Sequence, residues 1–132
     1  MFDADTSLAK FLNDVECATS IYAFEIVDEE QKELKMMLAT GDTTPYAGAV
    51  YEVVFRFPES YPFGVPHATF GSPIWNTWVH PVNKQVHFDD SQTWNVVDSL
   101  AYVEGLIQKP DMDEFSTFFR VARFWAGVYG HR

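Results

Sequence analysis

Near the start of the chain, Leu8, Phe11, Leu12 and Val15 recur at the spacing that places them on one face of a helix. Thr6 or Asp5 is the expected cap, and the pattern fades near Ala18 to Ser20. The period then changes. Tyr22 to Val27 and Glu33 to Ala39 have strand character, and the acidic turn Asp28-Glu29-Glu30-Gln31 between them predicts a hairpin with a solvated tip. Gly41, Asp42 and the Thr43-Thr44-Pro45 run punctuate the chain before Tyr51 to Phe57. There Tyr51, Val53, Phe55 and Phe57 alternate with Glu52, Val54 and Arg56, a strand with one fully apolar face. Pro58, Pro62 and Pro66 fall every four residues, which forbids a regular helix and predicts an extended, turn-rich path into a strand at Ala68 to Phe70.

From Ser72 to Trp94 no clean period exists. Trp75, Trp78, His80, Pro81, His87, Asp89, Asp90 and Trp94 stand in a loop-like setting, and loops this long are often functional. Helical spacing returns with Leu100, Val103, Leu106 and Ile107, with Asp98 as the expected cap and Pro110 as the stop. Asp111 with Glu114 forms a capping-box pattern for a last helix over Met112 to Tyr129. Its broad aromatic stripe is Phe115, Phe118, Phe119, Ala122, Trp125, Ala126 and Tyr129. The order of helix, antiparallel strands, long irregular segment and two helices is an α+β pattern, read as one domain over residues 1–132.

Composition narrows the function. The chain of 132 residues is 47% hydrophobic and 17% aromatic, enough for a real core and against disorder as the main state. A net charge of -10 repels phosphate backbones, and Arg120, Arg123 and Arg132 form no basic cluster, so nucleic acid is not an expected partner. No apolar run approaches the length of a membrane span, and Met1 to Lys10 carries neither the basic flank nor the apolar stretch of a signal peptide. The expected setting is the cytoplasm, with the nucleus also compatible. Cys17 is alone and has no internal disulfide partner, and no Cys or His spacing resembles a structural zinc site. His80, His87, Asp89 and Asp90 are close in sequence, but His87 as a general base would need a substrate and a second catalytic group that the sequence does not identify. Neither a metal nor a cofactor is expected.

Particular residues go further than pattern. Thr44-Pro45-Tyr46-Ala47-Gly48-Ala49-Val50-Tyr51 resembles the "TPYxGGxF" hairpin of ubiquitin-conjugating enzymes, and Phe57-Pro58-Glu59-Ser60-Tyr61-Pro62-Phe63-Gly64-Val65-Pro66 is similar to their "FPxxYPFxPP". His80-Pro81 resembles the start of their "HPN" tripeptide, and Trp94 with the Asp98 to Gln108 helix resembles the tryptophan and second helix beyond their active site. The resemblance implies a UBC-like fold: an N-terminal helix, a four-stranded antiparallel meander sheet, a long active-site-like loop and two C-terminal helices, with the family's usual final helices reduced.

At the nucleophile the sequence departs from the family. Ubiquitin is carried as a thioester on a cysteine, because a thiolate is both a good nucleophile and a good leaving group. Val86-His87-Phe88-Asp89 falls over the family's "ICLD", so His87 stands where that cysteine would be. Val82 replaces the asparagine of "HPN", and Asn83 comes one position late. Cys17, in the first helix, is read as a small helix residue. The resemblance therefore implies a ubiquitin-conjugating enzyme variant with a degenerate site at His80, Pro81, Val82, His87 and Asp89 and no catalytic residue, His80 being the family's loop-holding histidine. Such variants act through proteins: an active conjugating enzyme, ubiquitin or, in the Fused Toes type, coiled-coil proteins of vesicle traffic. An RWD-type interaction domain also fits the Tyr61-Pro62 and Pro66 spacing. The candidate contact residues are Tyr61, Pro62 and Phe63 on the proline loop and Trp75 and Trp78 on the long loop.

Overall fold

The computed structural model describes residues 4–41, 44–110 and 116–130. Helix α1 (Ala4–Ala18) leads into strands β1 (Phe24–Asp28), β2 (Glu33–Ala39), β3 (Val50–Arg56) and β4 (His67–Phe70), and helices α2 (Val96–Gln108) and α3 (Thr117–Tyr129) close the chain. The strands form one antiparallel sheet in the order β1-β2-β3-β4, the meander expected from the sequence.

The alternation in β2 and β3 sets the register. Leu34 faces Phe55, Met36 faces Val53 and Leu38 faces Tyr51, so the apolar sides of both strands meet on the same surface of the sheet. All six are buried, and Phe11, Val15 and Ala18 of α1 join Leu100, Val103 and Ile107 of α2 in the same core. The other surface stays polar, where Lys35 reaches Glu25 at 2.9 Å and Glu52 at 3.5 Å. Strand β1 is the edge strand and mostly exposed, with only Phe24 half buried.

Several boundaries differ from the sequence pattern. β1 begins at Phe24 and extends through Asp28, whose carboxylate accepts the Gln31 N–H and so closes the hairpin turn. Thr6 lies inside α1 rather than at its cap, and the Asp5 side chain lies outside the described residues. α2 is capped by Asn95, whose Oδ1 accepts the Asp98 N–H at 2.8 Å. Asp98 instead sits in the first turn, where its charge favours the positive end of the helix dipole. Asp42, the Asp111-Glu114 box, Phe115 and His131 lie outside the described residues. α3 is capped by Ser116, which accepts the Phe119 N–H at 3.0 Å. Its buried residues are Phe119, Ala122 and Ala126, while Phe124, Val128 and Tyr129 are exposed.

Two buried hydroxyls tie loops to this frame. Tyr61, on the proline-rich loop with a cis Tyr61-Pro62 bond, packs edge-on against Phe11 and Phe57. Its hydroxyl donates to Asp14 Oδ2 at 2.6 Å and accepts the Val96 N–H at 2.8 Å, joining α1 to the start of α2. Tyr46 follows Thr44 in a turn in which Gly48 adopts φ +83°, a conformation that disfavours any residue with a Cβ. Its hydroxyl donates to Trp75 O at 2.7 Å. Tyr51 shares this core, but its buried hydroxyl has no partner among the described residues.

Burial makes the neutral form of all three phenols the favoured one. Tyr46 and Tyr61 are shifted strongly upward, Tyr61 also by the Asp14 carboxylate it bonds, and Tyr51 is pushed from 10.0 up to about 12. A pKa raised on folding contributes stability that is full below the unfolded value and lost as pH rises toward the folded one. Denaturant unfolding is therefore expected to show stability falling above about pH 10. Tyr61→Phe removes one bond to a charged group and leaves the Val96 N–H unpaired, and should cost about 3 kcal/mol at neutral pH. Tyr51→Phe removes an unpartnered buried hydroxyl and should be neutral or stabilising by about 1 kcal/mol, with a shallower alkaline loss.

Candidate partner-binding site on the long loop

The segment between β4 and α2 is irregular in sequence but fixed in space. Phe70 N–H donates to Lys84 O and Val86 N–H to Ala68 O, each at 2.9 Å, so residues 84–86 run alongside β4 as a short extension of the sheet. Val79 bridges to both Asn76 and Val86, folding the loop back on itself. Ile74, Val79, Val86, Phe88 and Trp94 are buried, and this anchoring leaves Trp78, His80 to Asn83, Gln85, His87 and Asp89 exposed between them.

Asn76 holds the loop's first half. Its Nδ2 donates to Tyr46 Oη at 2.9 Å and to Leu106 O at 3.0 Å, and its Oδ1 accepts the Trp78 N–H at 3.0 Å. One buried amide thus connects the Tyr46 turn, the end of α2 and the backbone that carries Trp78. His80 holds the second half: its Nδ1 accepts the Val82 and Asn83 N–H groups at 3.1 and 3.2 Å, and its own N–H donates to Gln85 O at 2.9 Å. Pro81 and Val82 are carried at the exposed tip of this turn, Val82 at 81% exposure.

His87 stands on the surface, its ring stacked on Trp78 with centroids 5.9 Å apart and planes 26° from parallel. Its N–H donates to Trp78 O at 2.8 Å, and its carbonyl accepts the Tyr102 hydroxyl at 2.6 Å. Asp89 Oδ1 accepts both the hydroxyl and the N–H of Ser91, which hold its carboxyl below the usual range, with Gln92 and the His87 ring adding in the same direction. A cleft of about 610 Å³ opens on one side of the Trp78–His87 stack, with Trp75, His80, Asn83, Gln85 and Phe118 on its walls. A pocket of about 470 Å³ lies on the other side.

Trp75 and Trp78 serve differently. Trp75 is half buried and lies 5.6 Å from Phe118 and 5.2 Å from Trp125, seating α3 against the loop while one part of the ring lines the cleft. Trp78 is 41% exposed and forms the ridge between the two depressions. Tyr61 must be corrected as a contact candidate, because it is 1% exposed and spends its hydroxyl inside the core. Phe63 is 66% exposed and Pro62 half buried, but neither lines these depressions. Cys17 is exposed on α1 and also lines neither. Among the described residues no group of three His, Cys, Asp or Glu comes together that could hold a metal, and no helix is long and apolar enough to cross a membrane.

Asn76, Gln85, Gln92, Tyr102 and Phe118 were not picked out as site residues by sequence reasoning, and Asn83 was noted only as the asparagine one position late. An isolated amide carries no periodic signal, and Tyr102 reads as one more helix position. Only Phe118 belonged to a stripe that could have pointed to it.

Residues 8–113 match the family model described as ubiquitin-conjugating enzyme. The chain is 28% identical over 123 residues to the Ubiquitin-conjugating enzyme E2 K of Homo sapiens, covering 80% of this chain and 62% of that protein. It is 26% identical over 133 residues to Ubiquitin-conjugating enzyme E2-22 kDa of Drosophila melanogaster, covering 87% of this chain and 65% of that one. A shorter match, 36% over 52 residues, covers 39% of this chain and 24% of the Ubiquitin-conjugating enzyme E2 21 of Caenorhabditis elegans. The chain thus spans less than two thirds of the length of each of these relatives.

The two anchors of the loop should respond differently to truncation. Asn76→Ala leaves the Tyr46 hydroxyl and Leu106 carbonyl without a buried donor and should cost about 2–3 kcal/mol in thermal or denaturant unfolding. His80→Ala frees N–H groups that water can reach and should cost about 1 kcal/mol or less. Hydrogen exchange at Val82 and Asn83, whose N–H groups lose the imidazole acceptor, should nonetheless accelerate in that variant.

Proposed function

The chain belongs to the ubiquitin-conjugating enzyme family, and we propose that within it the protein works by binding rather than by thioester chemistry. It is a non-catalytic subunit or scaffold of ubiquitin signalling that operates with an active conjugating enzyme. The observation that carries this reading is His87. Read from the likeness of Val86-His87-Phe88-Asp89 to "ICLD", the place of the family's cysteine holds an imidazole, which is stacked on Trp78, and the chain's single thiol sits on α1, outside the residues that line the loop's cleft and pocket.

The chemistry supports it. An acyl group on imidazole is far more readily hydrolysed than a thioester, so His87 cannot store ubiquitin as a cysteine would. The "HPN" asparagine is replaced by Val82, which is exposed and offers no side-chain donor to a developing oxyanion. The loop is nevertheless firmly anchored, with His80 bonded to its own turn and Asn76 to the core. A maintained scaffold without a nucleophile is what a binding subunit requires.

Incubation with ubiquitin-activating enzyme, ATP and ubiquitin is expected to give no reducible ubiquitin adduct. A thiol-sensitive band that vanishes in Cys17→Ser would overturn the proposal. Addition of the protein to an active conjugating enzyme is expected to change the rate or linkage of chain formation, and Trp78→Ala should reduce that effect several-fold without lowering thermal stability by more than about 1 kcal/mol.

A further inference from the structure

The pocket of about 470 Å³ on the far side of the Trp78–His87 ridge has an unusual lining: Trp78, His87, Asp89, Gln92, Trp94 and Tyr102. Four of these are rings, and in two of them, Trp94 and Tyr102, the polar atom is committed elsewhere. Trp94 Nε1 donates to Asp89 O at 2.8 Å and the Tyr102 hydroxyl to His87 O at 2.6 Å. The Trp94 and Tyr102 rings lie 5.0 Å apart, tilted by 48°, and Phe88 backs both at 4.9 and 5.3 Å. The wall made by Trp94 and Tyr102 is therefore rigid, and it offers π surface rather than hydrogen bonds.

Asp89 supplies the charge. Among the described residues no Lys or Arg pairs with its carboxylate, and Oδ1 already accepts two bonds from Ser91. The group thus contributes negative potential while much of its acceptor capacity is used. Ring faces are negative as well, and the whole chain carries a charge of -10. The complementary ligand is a cation. An unmodified ammonium brings three N–H donors that would leave water and find no acceptor on the Trp94–Tyr102 wall, whereas a methylated ammonium has no such demand and is held by the rings and the charge.

We propose that this pocket binds the trimethylammonium group of a methylated lysine in a partner polypeptide, with Trp78, Trp94 and Tyr102 around the cation and Asp89 facing it. A polypeptide is favoured because Trp78 and His87 also line the neighbouring cleft, where the Asn83 and Gln85 side chains offer amides to an extended main chain. The inference goes beyond the reading of the protein as a non-catalytic subunit and does not rest on it, since the lining is the same whatever His87 replaces.

The test is titration of the full chain with a short synthetic peptide carrying one trimethyl-lysine, followed by calorimetry and by the indole N–H resonances of Trp78 and Trp94. Binding with shifts at both indoles is expected. A peptide in which carbon replaces the charged nitrogen should bind about tenfold more weakly, as should the unmodified lysine peptide. Asp89→Asn should weaken binding several-fold, and Trp78→Ala should abolish it with the circular dichroism unchanged. Equal binding of the neutral isostere or of plain lysine, or an unaffected Trp78→Ala, would overturn the proposal, as would absence of binding at millimolar peptide. Tighter association with phosphatidylcholine vesicles than with the peptide would overturn the assignment to a polypeptide. None of these readouts involves ubiquitin transfer, so their failure is separable from a failure of the non-catalytic reading.

Discussion

The hydroxyl of Tyr46, buried beneath the sheet's end, accepts from Asn76 and donates to the carbonyl of Trp75. Through these two bonds an irregular loop gains a fixed position relative to the core. Asn76 spends its remaining capacity on Leu106 and Trp78, so the Tyr46 turn, α2 and the loop ridge are parts of one polar network. Such a network is costly if half satisfied and specific if complete. Here the Asn76 amide is fully used, and the side chains beyond it, Trp78 and His87 above all, are presented at defined positions on the surface.

Tyr61 performs the corresponding task on the opposite side of the core. Its ring fills space between Phe11 and Phe57, and its hydroxyl meets Asp14 and the first turn of α2. The proline-rich loop is thereby locked to both helices. Tyr51, between the two, has a buried hydroxyl without a partner and contributes through its ring, edge-on to Tyr46 and Phe70. The same residue type thus holds together two junctions and leaves a small electrostatic debit at a third.

The ridge of Trp78 and His87 is set by the way the chain returns to the sheet. The sheet extension at residues 84–86 brings the chain back beside β4, and the next residue is His87. Any side chain at this position is displayed rather than buried, so the scaffold presents it without specifying its chemistry. Here an imidazole at that place stacks on Trp78 and becomes part of an aromatic surface. Trp75 and α3 then close one flank of the cleft, so α3 shapes the surface with Phe118 and Trp125 while Ala122 and Ala126 join the core.

The periodic elements were legible because their physics is local. The alternation of Tyr51, Val53, Phe55 and Phe57, the helical spacing in α1 and α2, and the prolines at 58, 62 and 66 dictate strand, helix and loop wherever they occur. Boundaries were less so. Asp98 and Asn95 are both good caps, and only the backbone geometry decides that Asn95 takes the role. The motifs around Tyr46 and His80 pointed to the family, but sequence order could not show that Tyr61 is sealed in the core while Trp78 is exposed. That distinction depends on which ring finds a buried hydrogen-bond partner across the fold, 47 residues away in the case of Asp14. The pocket built from Trp78, Asp89, Trp94 and Tyr102 is of the same kind: its members share no period and meet only because α2 packs where the loop returns.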